Sequence, residues 1–125
     1  MLERRRGVII NVASVAGFRP SPYSAVYSAT KHGVVGFSHA LRGELSGTGV
    51  KVCVVYPGVT SGTEFFRLPG QTTGPQLPAG WVARLVVRTA RYPRHDHRVA
   101  HLAEPVFGGL MDHAIGEVRR RNLPD

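Results

Sequence analysis

The sequence contains a single cysteine, Cys53, so the chain cannot form an internal disulfide bond. Cys53 lies in the apolar run at 50–56, which predicts a buried, unreactive thiol. No apolar run approaches the ~20 residues that a membrane-spanning helix requires. The charged N-terminus leads only into the short run Val8-Ile9-Ile10, which is unlike a secretory signal peptide. From these absences we expect a cytoplasmic protein that has no membrane partner.

Acidic residues are also scarce, because 8 Asp and Glu stand against 16 Lys and Arg, which gives a net charge of +8. Such an excess is compatible with nucleic acid, a membrane surface or an anionic ligand as partner. The arginines cluster at 4–6 and 119–121, and no aromatic side chains interleave with those clusters, as stacking on bases would favour. We therefore expect a solvated basic surface and no nucleic-acid partner. A nucleic-acid binder would instead lose affinity steeply with salt.

The pattern of the first half predicts a strand, a helix and a second strand. Residues 7–13 (GVIINVA) and 50–56 (VKVCVVY) are apolar and rich in β-branched residues, which predicts strands buried on both faces of a parallel sheet. A helix is expected between them, from Ser24 to Leu45. This order predicts a βαβ unit whose two strands are parallel and adjacent or nearly so.

Apolar spacing also predicts which side of this helix faces the core. The expected core residues are Val34, Phe37, Leu41 and Leu45. The second half has weaker patterns and contains no internal repeat or domain linker. Its expected elements are a long loop at 57–80, an amphipathic helix at 79–91, a short strand at 98–102 and a last helix at 105–120.

Three residues are candidates for one proton-transfer site: Ser14, Tyr27 and Lys31. Ser14 follows the first strand, and ligands of open α/β sheets bind at the carboxyl ends of strands. Tyr27 and Lys31 are four residues apart on the helix, so they share one face. A free tyrosine is a poor base at neutral pH, but a nearby ammonium favours the phenolate. Such a tyrosine can exchange a proton with a carbinol or carbonyl oxygen, to which a serine can donate a hydrogen bond.

The motifs resemble those of the short-chain dehydrogenase/reductase family. The likeness lies in three runs, in this order: residues 11–17 (NVASVAG), 27–31 (YSATK) and 56–58 (YPG). The run GVVGF at 33–37 and the spacing of 13 residues between Ser14 and Tyr27 add to it. A lone tyrosine and lysine four residues apart is a weak signal, but the ordered set is specific. It covers residues 7–63 closely and the rest more loosely.

The resemblance implies a catalytic role for Ser14, Tyr27 and Lys31 in hydride transfer between NAD or NADP and a small-molecule alcohol or carbonyl substrate. Ser14 would orient the substrate oxygen, Tyr27 would act as the acid/base, and Lys31 would bind the nicotinamide ribose and assist Tyr27. Further cofactor contacts are implied for Pro57, Gly58, Thr60 and Thr63. The family usually places a threonine five residues after this proline, where the chain has Gly62, so Thr63 stands one residue late.

One family feature has no counterpart in the sequence. The family begins with a strand, a glycine-rich turn and a helix that hold the pyrophosphate, and none of these is recognisable among the 125 residues. The family's catalytic asparagine and the residue that distinguishes NAD from NADP are missing with them. The expected fold is therefore α/β, a partial doubly wound (Rossmann-type) parallel sheet that lacks its N-terminal dinucleotide-binding βαβ unit. Residues 1–125 would form a single partial domain, the C-terminal catalytic half, and the family implies a homo-oligomer when complete.

An alternative function belongs to a different class: a catalytically inactive fragment that serves only as an association module. Cofactor binding distinguishes it from the enzyme. Two weaker motifs are set aside. His95, His97 and His101 straddle a turn and an alternating strand, so no metal site is expected. The run at 36–40 (GFSHA) resembles a hydrolase nucleophile motif, but it falls inside a predicted helix rather than at a strand-to-helix turn.

Overall fold

A computed structural model describes residues 1–20, 24–62 and 76–98 of the chain. None of the helices in these ranges is long and apolar enough to span a membrane. The elements, in chain order, are β1 (Gly7–Val12), a 3-10 helix (Val15–Gly17), α1 (Ala25–Glu44), β2 (Val50–Tyr56), β3 (Thr60–Ser61), β4 (Leu77–Pro78), α2 (Ala79–Arg91) and β5 (Asp96–Arg98).

Within the described ranges, β1, β2 and β5 form one parallel sheet in the order β1-β2-β5. β1 pairs with β2 from Gly7 opposite Val50 to Val12 opposite Val55. The prediction of two adjacent parallel strands joined by a helix is confirmed. The predicted bounds of β2 and α2 agree with the structure. β1 ends one residue earlier than predicted, and α1 is one residue shorter at each end.

The centre of the core is β2, which is covered on both faces. Val54 and Tyr56 pack with Ala13 beneath the α1 side chains Val34 and Val35. Cys53 alternates with them along the strand and therefore points to the other face, yet it is only 1% exposed. Burial raises the pKa of the Cys53 thiol, which agrees with the expectation of an unreactive cysteine.

The expectation that β1 is buried on both faces is wrong. Its residues are half-buried or, at Val12, 46% exposed. The reason lies in the strand order, because β1 is an edge strand of the described sheet and pairs only with β2. The apolar sequence of β1 is that of a strand with two neighbours, although the described residues supply one.

The core face of α1 also differs from the prediction at one position. Phe37 is 61% exposed, whereas its neighbour Ser38 is 0% exposed. Asn11 on β1 donates a hydrogen bond from Nδ2 to Ser38 Oγ at 2.8 Å, and Ser38 Oγ donates to the Val34 carbonyl at 2.6 Å. A polar pair between strand and helix therefore occupies the buried position, and Phe37 turns outward.

The turn from α1 into β2 depends on two glycines. Gly47 and Gly49 have φ angles of 76° and 85°, in the left-handed region that side chains disfavour. Gly49 also lies directly against the Arg5 carbonyl, which leaves no room for a Cβ atom. These glycines end the helix and allow the chain to enter β2.

The C-terminal predictions are only partly covered by the described residues. The third strand begins at Asp96, two residues before the predicted start, because Asp96 pairs with Val54 while its side chain binds α1. The predicted loop at 57–80 contains β3 and β4, which pair in parallel. Residues 99–102 and the predicted helix at 105–120 lie outside the described residues.

The Asp96 carboxylate joins β5 to both α1 and β2. Its Oδ1 accepts hydrogen bonds of 3.2 Å from Arg42 Nη2 and from the Tyr56 hydroxyl, and it lies 3.6 Å from His39 Nε2. Burial alone would raise the pKa of Asp96. The hydrogen bond and positive charge of Arg42 outweigh it, with help from Tyr56 and His39, so the pKa lies below its usual value.

Replacing Ser38 by alanine should lower the free energy of unfolding by about 1–3 kcal/mol, because it leaves the Asn11 amide without its partner. Urea denaturation of the purified chain measures the change. Ser46→Ala is the matched control, since Ser46 is exposed. Equal stabilities of the two variants would contradict the role given to the Asn11–Ser38 pair.

Replacing Asp96 by asparagine should destabilise the fold at neutral pH and have a smaller effect in acid. A carboxyl whose pKa is lowered by folding stabilises the folded state above its unfolded pKa of about 3.9, and this stabilisation is lost as the pH falls through the folded pKa. Urea midpoints of both proteins at pH 7 and pH 3 measure the effect. Glu44→Gln removes an exposed carboxylate as control. A pH-independent difference between wild type and Asp96→Asn would exclude this linkage.

Candidate active site

The residues predicted to act in catalysis follow the carboxyl ends of β1 and β2. The segments that follow β1 and β2 remain hydrogen-bonded to each other. Ala13 N donates to the Val55 carbonyl at 2.9 Å, and Val15 N donates to the Pro57 carbonyl at 3.1 Å. Ser14 therefore lies beside the Pro57-Gly58 turn. In open parallel sheets this is the edge at which ligands bind.

Ser14 is held in place by the 3-10 helix that it caps. Its Oγ accepts a hydrogen bond of 3.2 Å from Ala16 N, and the residue is 8% exposed. Within the described ranges its own hydroxyl hydrogen has no acceptor. Ser14 thus has a fixed oxygen and one uncommitted donor, as orienting a substrate oxygen requires.

Gly17 brings the Ser14 loop against α1. A Cβ atom at this position would lie 2.8 Å from the Lys31 carbonyl oxygen and 2.9 Å from Val35 Cγ2. The absence of a side chain therefore allows the 3-10 helix to pack on the helix that bears Lys31. Gly17 belongs to the run at 11–17, from which the sequence predicts no role for it. The available signal was a glycine just after the strand-end serine.

Lys31 lies between Tyr27 and the end of β1. Its Nζ is 5.7 Å from the centroid of the Tyr27 ring and donates a hydrogen bond of 3.3 Å to the Val12 carbonyl. An ammonium has three N–H donors, and Val12 takes one of them. Because Val12 is two residues before Ser14, the structure places Lys31 beside Tyr27 at the edge of the sheet that Ser14 occupies.

The residues after β2 form the second part of this edge. Pro57 binds Val15 through its carbonyl, and Thr60 Oγ1 donates to the Gly58 carbonyl at 3.0 Å. Gly62 has a φ of 74°, a conformation that glycine adopts readily and threonine does not. This conformation accounts for the glycine where the family usually has threonine. Thr63 lies outside the described residues.

Of the two weaker motifs, the one around Ser38 is fully described and the histidine motif only in part. Ser38 lies inside α1, is fully buried and donates to a backbone carbonyl, so it cannot act as a nucleophile. In the described ranges no group of three potential metal ligands comes together. His101 and the side chain of His97 are outside the described part of the chain.

Two curated proteins illustrate the similarity in sequence. An inactive 2-(S)-hydroxypropyl-CoM dehydrogenase 2 from Xanthobacter autotrophicus is 44% identical over 94 residues, which is 74% of this chain and 38% of that protein. An NADP-dependent 3-hydroxy acid dehydrogenase from Salmonella typhimurium is 51% identical over 65 residues, 52% of this chain and 26% of that protein. The chain thus spans less than half the length of these relatives.

A solved structure shows the likeness in fold. A short chain dehydrogenase from Burkholderia cenocepacia, in complex with NADP, superposes with a TM-score of 0.71 at 24% identity. The match covers 99% of this chain and 50% of that chain. The fold is therefore the α/β, Rossmann-type fold with parallel strands.

A match over more than half of the chain shows the family. The short chain dehydrogenase model matches residues 1–72, more than half of the chain, and the chain therefore belongs to the short chain dehydrogenase family.

Proposed function

We propose that this chain carries the proton-transfer site of an oxidoreductase that moves hydride between NAD or NADP and a small-molecule alcohol or carbonyl. One observation carries the proposal: the Lys31 ammonium lies beside the Tyr27 ring and at the end of β1, two residues before Ser14. As the resemblance to the family implies, Ser14, Tyr27 and Lys31 would be the catalytic residues.

Tyr27 would exchange a proton with the substrate oxygen. In the reducing direction its hydroxyl gives that proton to the developing alkoxide, and in the oxidising direction its phenolate takes the alcohol proton. Lys31 Nζ lies 5.7 Å from the centroid of the Tyr27 ring, so the ammonium and the tyrosine would face the same bound ligand. Ser14 would donate its uncommitted hydroxyl hydrogen to the same substrate oxygen as charge develops there.

The side chains at this edge fit a nicotinamide nucleotide, which supplies or accepts the hydride when bound. Lys31 has N–H donors left after its bond to Val12, and these suit the ribose hydroxyls. Pro57, Gly58 and Thr60 lie on the other side of the edge and would cover the nicotinamide ring, with Thr63 as a further contact. Their place beside Ser14, through the Val15–Pro57 hydrogen bond, supports this assignment.

The pyrophosphate-binding part of the site would come from a segment outside these 125 residues. The sequence contains no glycine-rich turn between a strand and a helix, and the chain covers less than half of its curated relatives. The outer edge of β1, unpaired within the described sheet, would accept a further strand of such a segment. In this proposal residues 1–125 form the catalytic half of the domain, and the complete protein is a homo-oligomer.

A second candidate is the inactive association module. It is favoured by the half-buried apolar strand β1, which is an edge of the sheet that the described residues form, since backbone groups at such an edge can pair with a strand of another chain. A relative that is 44% identical over 94 residues is itself described as inactive. This candidate predicts that Tyr27 can be replaced without functional loss.

A chimaera tests the catalytic proposal. The part of the Salmonella 3-hydroxy acid dehydrogenase that precedes its equivalent of Gly7 is fused before Gly7 of this chain. NADPH oxidation is then followed with a panel of small ketones and 3-oxo acids. Tyr27→Phe should lower kcat by about 10²- to 10⁴-fold, because it removes only the proton donor. The affinity for NADPH should change little.

Tyr92→Phe is the matched control, because Tyr92 is an exposed tyrosine beyond the end of α2. It should leave kcat unchanged. Full turnover in the Tyr27→Phe chimaera would exclude Tyr27 as the acid/base. Turnover lost equally in both variants would show a general effect of removing a tyrosine hydroxyl.

A further inference from the structure

The outward side of α2 carries a row of arginines and one tryptophan. Trp81, Arg84, Arg88 and Arg91 are spaced three and four residues apart, so they lie along one side of the helix, which we call the arginine stripe. All four are exposed, Trp81 by 57%. The roughly opposite side faces the fold and carries Val82, Leu85, Val86 and Thr89.

Among the described residues, no carboxylate forms an ion pair with the stripe. The sequence has no Asp or Glu between Glu64 and Asp96. In the described ranges Asp96 forms ion pairs with His39 and Arg42, and none of the stripe arginines forms one. Arg84 lies 5.7 Å from the centroid of the Trp81 ring, and Arg91 lies 5.7 Å from that of Tyr92. Guanidinium groups held over aromatic rings keep their N–H edges available to a planar anion.

The stability of α2 explains only part of the stripe. Arg88 and Arg91 lie in the last turn, where positive charge interacts favourably with the helix carbonyls. Arg84 lies earlier in the helix, and it repels Arg88 because like charges four residues apart destabilise a helix. The ring of Trp81 remains mostly in water. Arg, Trp and Tyr are the residues that dominate the binding energy of protein interfaces.

We propose that the arginine stripe is a docking surface for an acidic helix of a partner protein. Arg84, Arg88 and Arg91 are separated by about 6 Å and 4.5 Å along the axis, from the 1.5 Å rise of a helix. Carboxylates at positions i, i+4 and i+7 of a partner helix have the same spacing. Each arginine can then bind a carboxylate through two N–H groups, while Trp81 covers apolar parts of the partner.

Other occupants fit the stripe less well. A second copy of this chain would bring the same positive charges to the interface and would be repelled. Insertion into a membrane requires an apolar helix face, but the apolar face of α2 is directed into the fold. A single-stranded nucleic acid needs successive aromatic side chains for its bases, and the stripe contains one.

Trp81 provides the assay, because it is the only tryptophan of the chain. The 125-residue protein is titrated with a synthetic 18-residue alanine-based helix that carries Glu at positions i, i+4 and i+7. A second peptide with Gln at these positions is the ligand control. We expect a saturable change of Trp81 fluorescence with the Glu peptide only, and a Kd that rises with salt concentration.

Paired variants test the arginines. The Kd for the Glu peptide should rise by about tenfold or more in the triple variant that combines Arg84→Gln, Arg88→Gln and Arg91→Gln. Arg4→Gln, Arg6→Gln and Arg19→Gln together remove the same charge from other exposed positions and should change it less than twofold. Circular dichroism checks that both triple variants fold, and the single variant Arg84→Gln replaces the triple if it does not. Tyr27→Phe should bind the peptide normally, which separates this surface from the proposed active site.

Three results would overturn the proposal. One is the absence of saturable binding of the Glu peptide, and another is equal weakening by the two triple variants. The third is that an oligothymidylate or phosphatidylserine-containing vesicles bind more tightly than the peptide, and that this binding is lost in the triple variant of the stripe arginines. That outcome would assign the surface to a nucleic acid or to a lipid headgroup.

Discussion

The parallel pairing of β1 with β2 is the constraint on which the rest of the described structure depends. Parallel strands require a crossover, and α1 provides it by running back over the face formed by Val54 and Tyr56. The first turns of α1 consequently lie at the carboxyl ends of the strands. Tyr27 and Lys31 occupy these turns, and Ser14 and Pro57 follow the two strands. A side-chain arrangement suited to proton transfer thus follows from the direction of two hydrogen-bonded strands.

Polar contacts fix α1 at several points along its length. Lys31 donates to the Val12 carbonyl near its start, Ser38 binds Asn11 at its middle, and Arg42 binds Asp96 near its end. The middle and end contacts join the helix to β1 and β5 away from the site. The contact near the start lies at the candidate site, where Lys31 keeps further N–H donors besides the one that binds Val12.

The sequence was sufficient for elements whose pattern reflects their own burial. The apolar run of β2 and the spacing of Val82, Leu85, Val86 and Thr89 in α2 predicted their bounds, because these segments bury the side chains that define them. The sequence was insufficient where a polar partner far away in the chain decides which side chain is buried or where a strand begins. Phe37 faces solvent because Asn11 binds Ser38, and β5 starts at Asp96 because Arg42 and Tyr56 bind its carboxylate. Aspartate is depleted in strands, so residue propensity does not indicate a strand that starts at Asp96.

The same distinction applies to the candidate site. Ser14, Tyr27 and Lys31 were found from motifs, and the structure brings Lys31 beside Tyr27 at the end of β1. The close approach of Gly17 to the Lys31 carbonyl could not be predicted, because it depends on where the loop packs. Likewise, an apolar strand such as β1 predicts neighbours on both sides without indicating whether the chain itself supplies them.

In the proposed function, Ser14, Tyr27 and Lys31 carry the proton-transfer site, and the pyrophosphate is bound by a segment outside these residues. Titration of the isolated 125-residue chain with NADH and NADPH, followed by their fluorescence, tests it most directly. Lys31 alone offers a charged hydrogen bond of about 1.5–3 kcal/mol, whereas a micromolar complex requires roughly 8 kcal/mol. We therefore expect no saturation in the low micromolar range. A monomeric chain that binds either nucleotide at low micromolar concentration would contradict it.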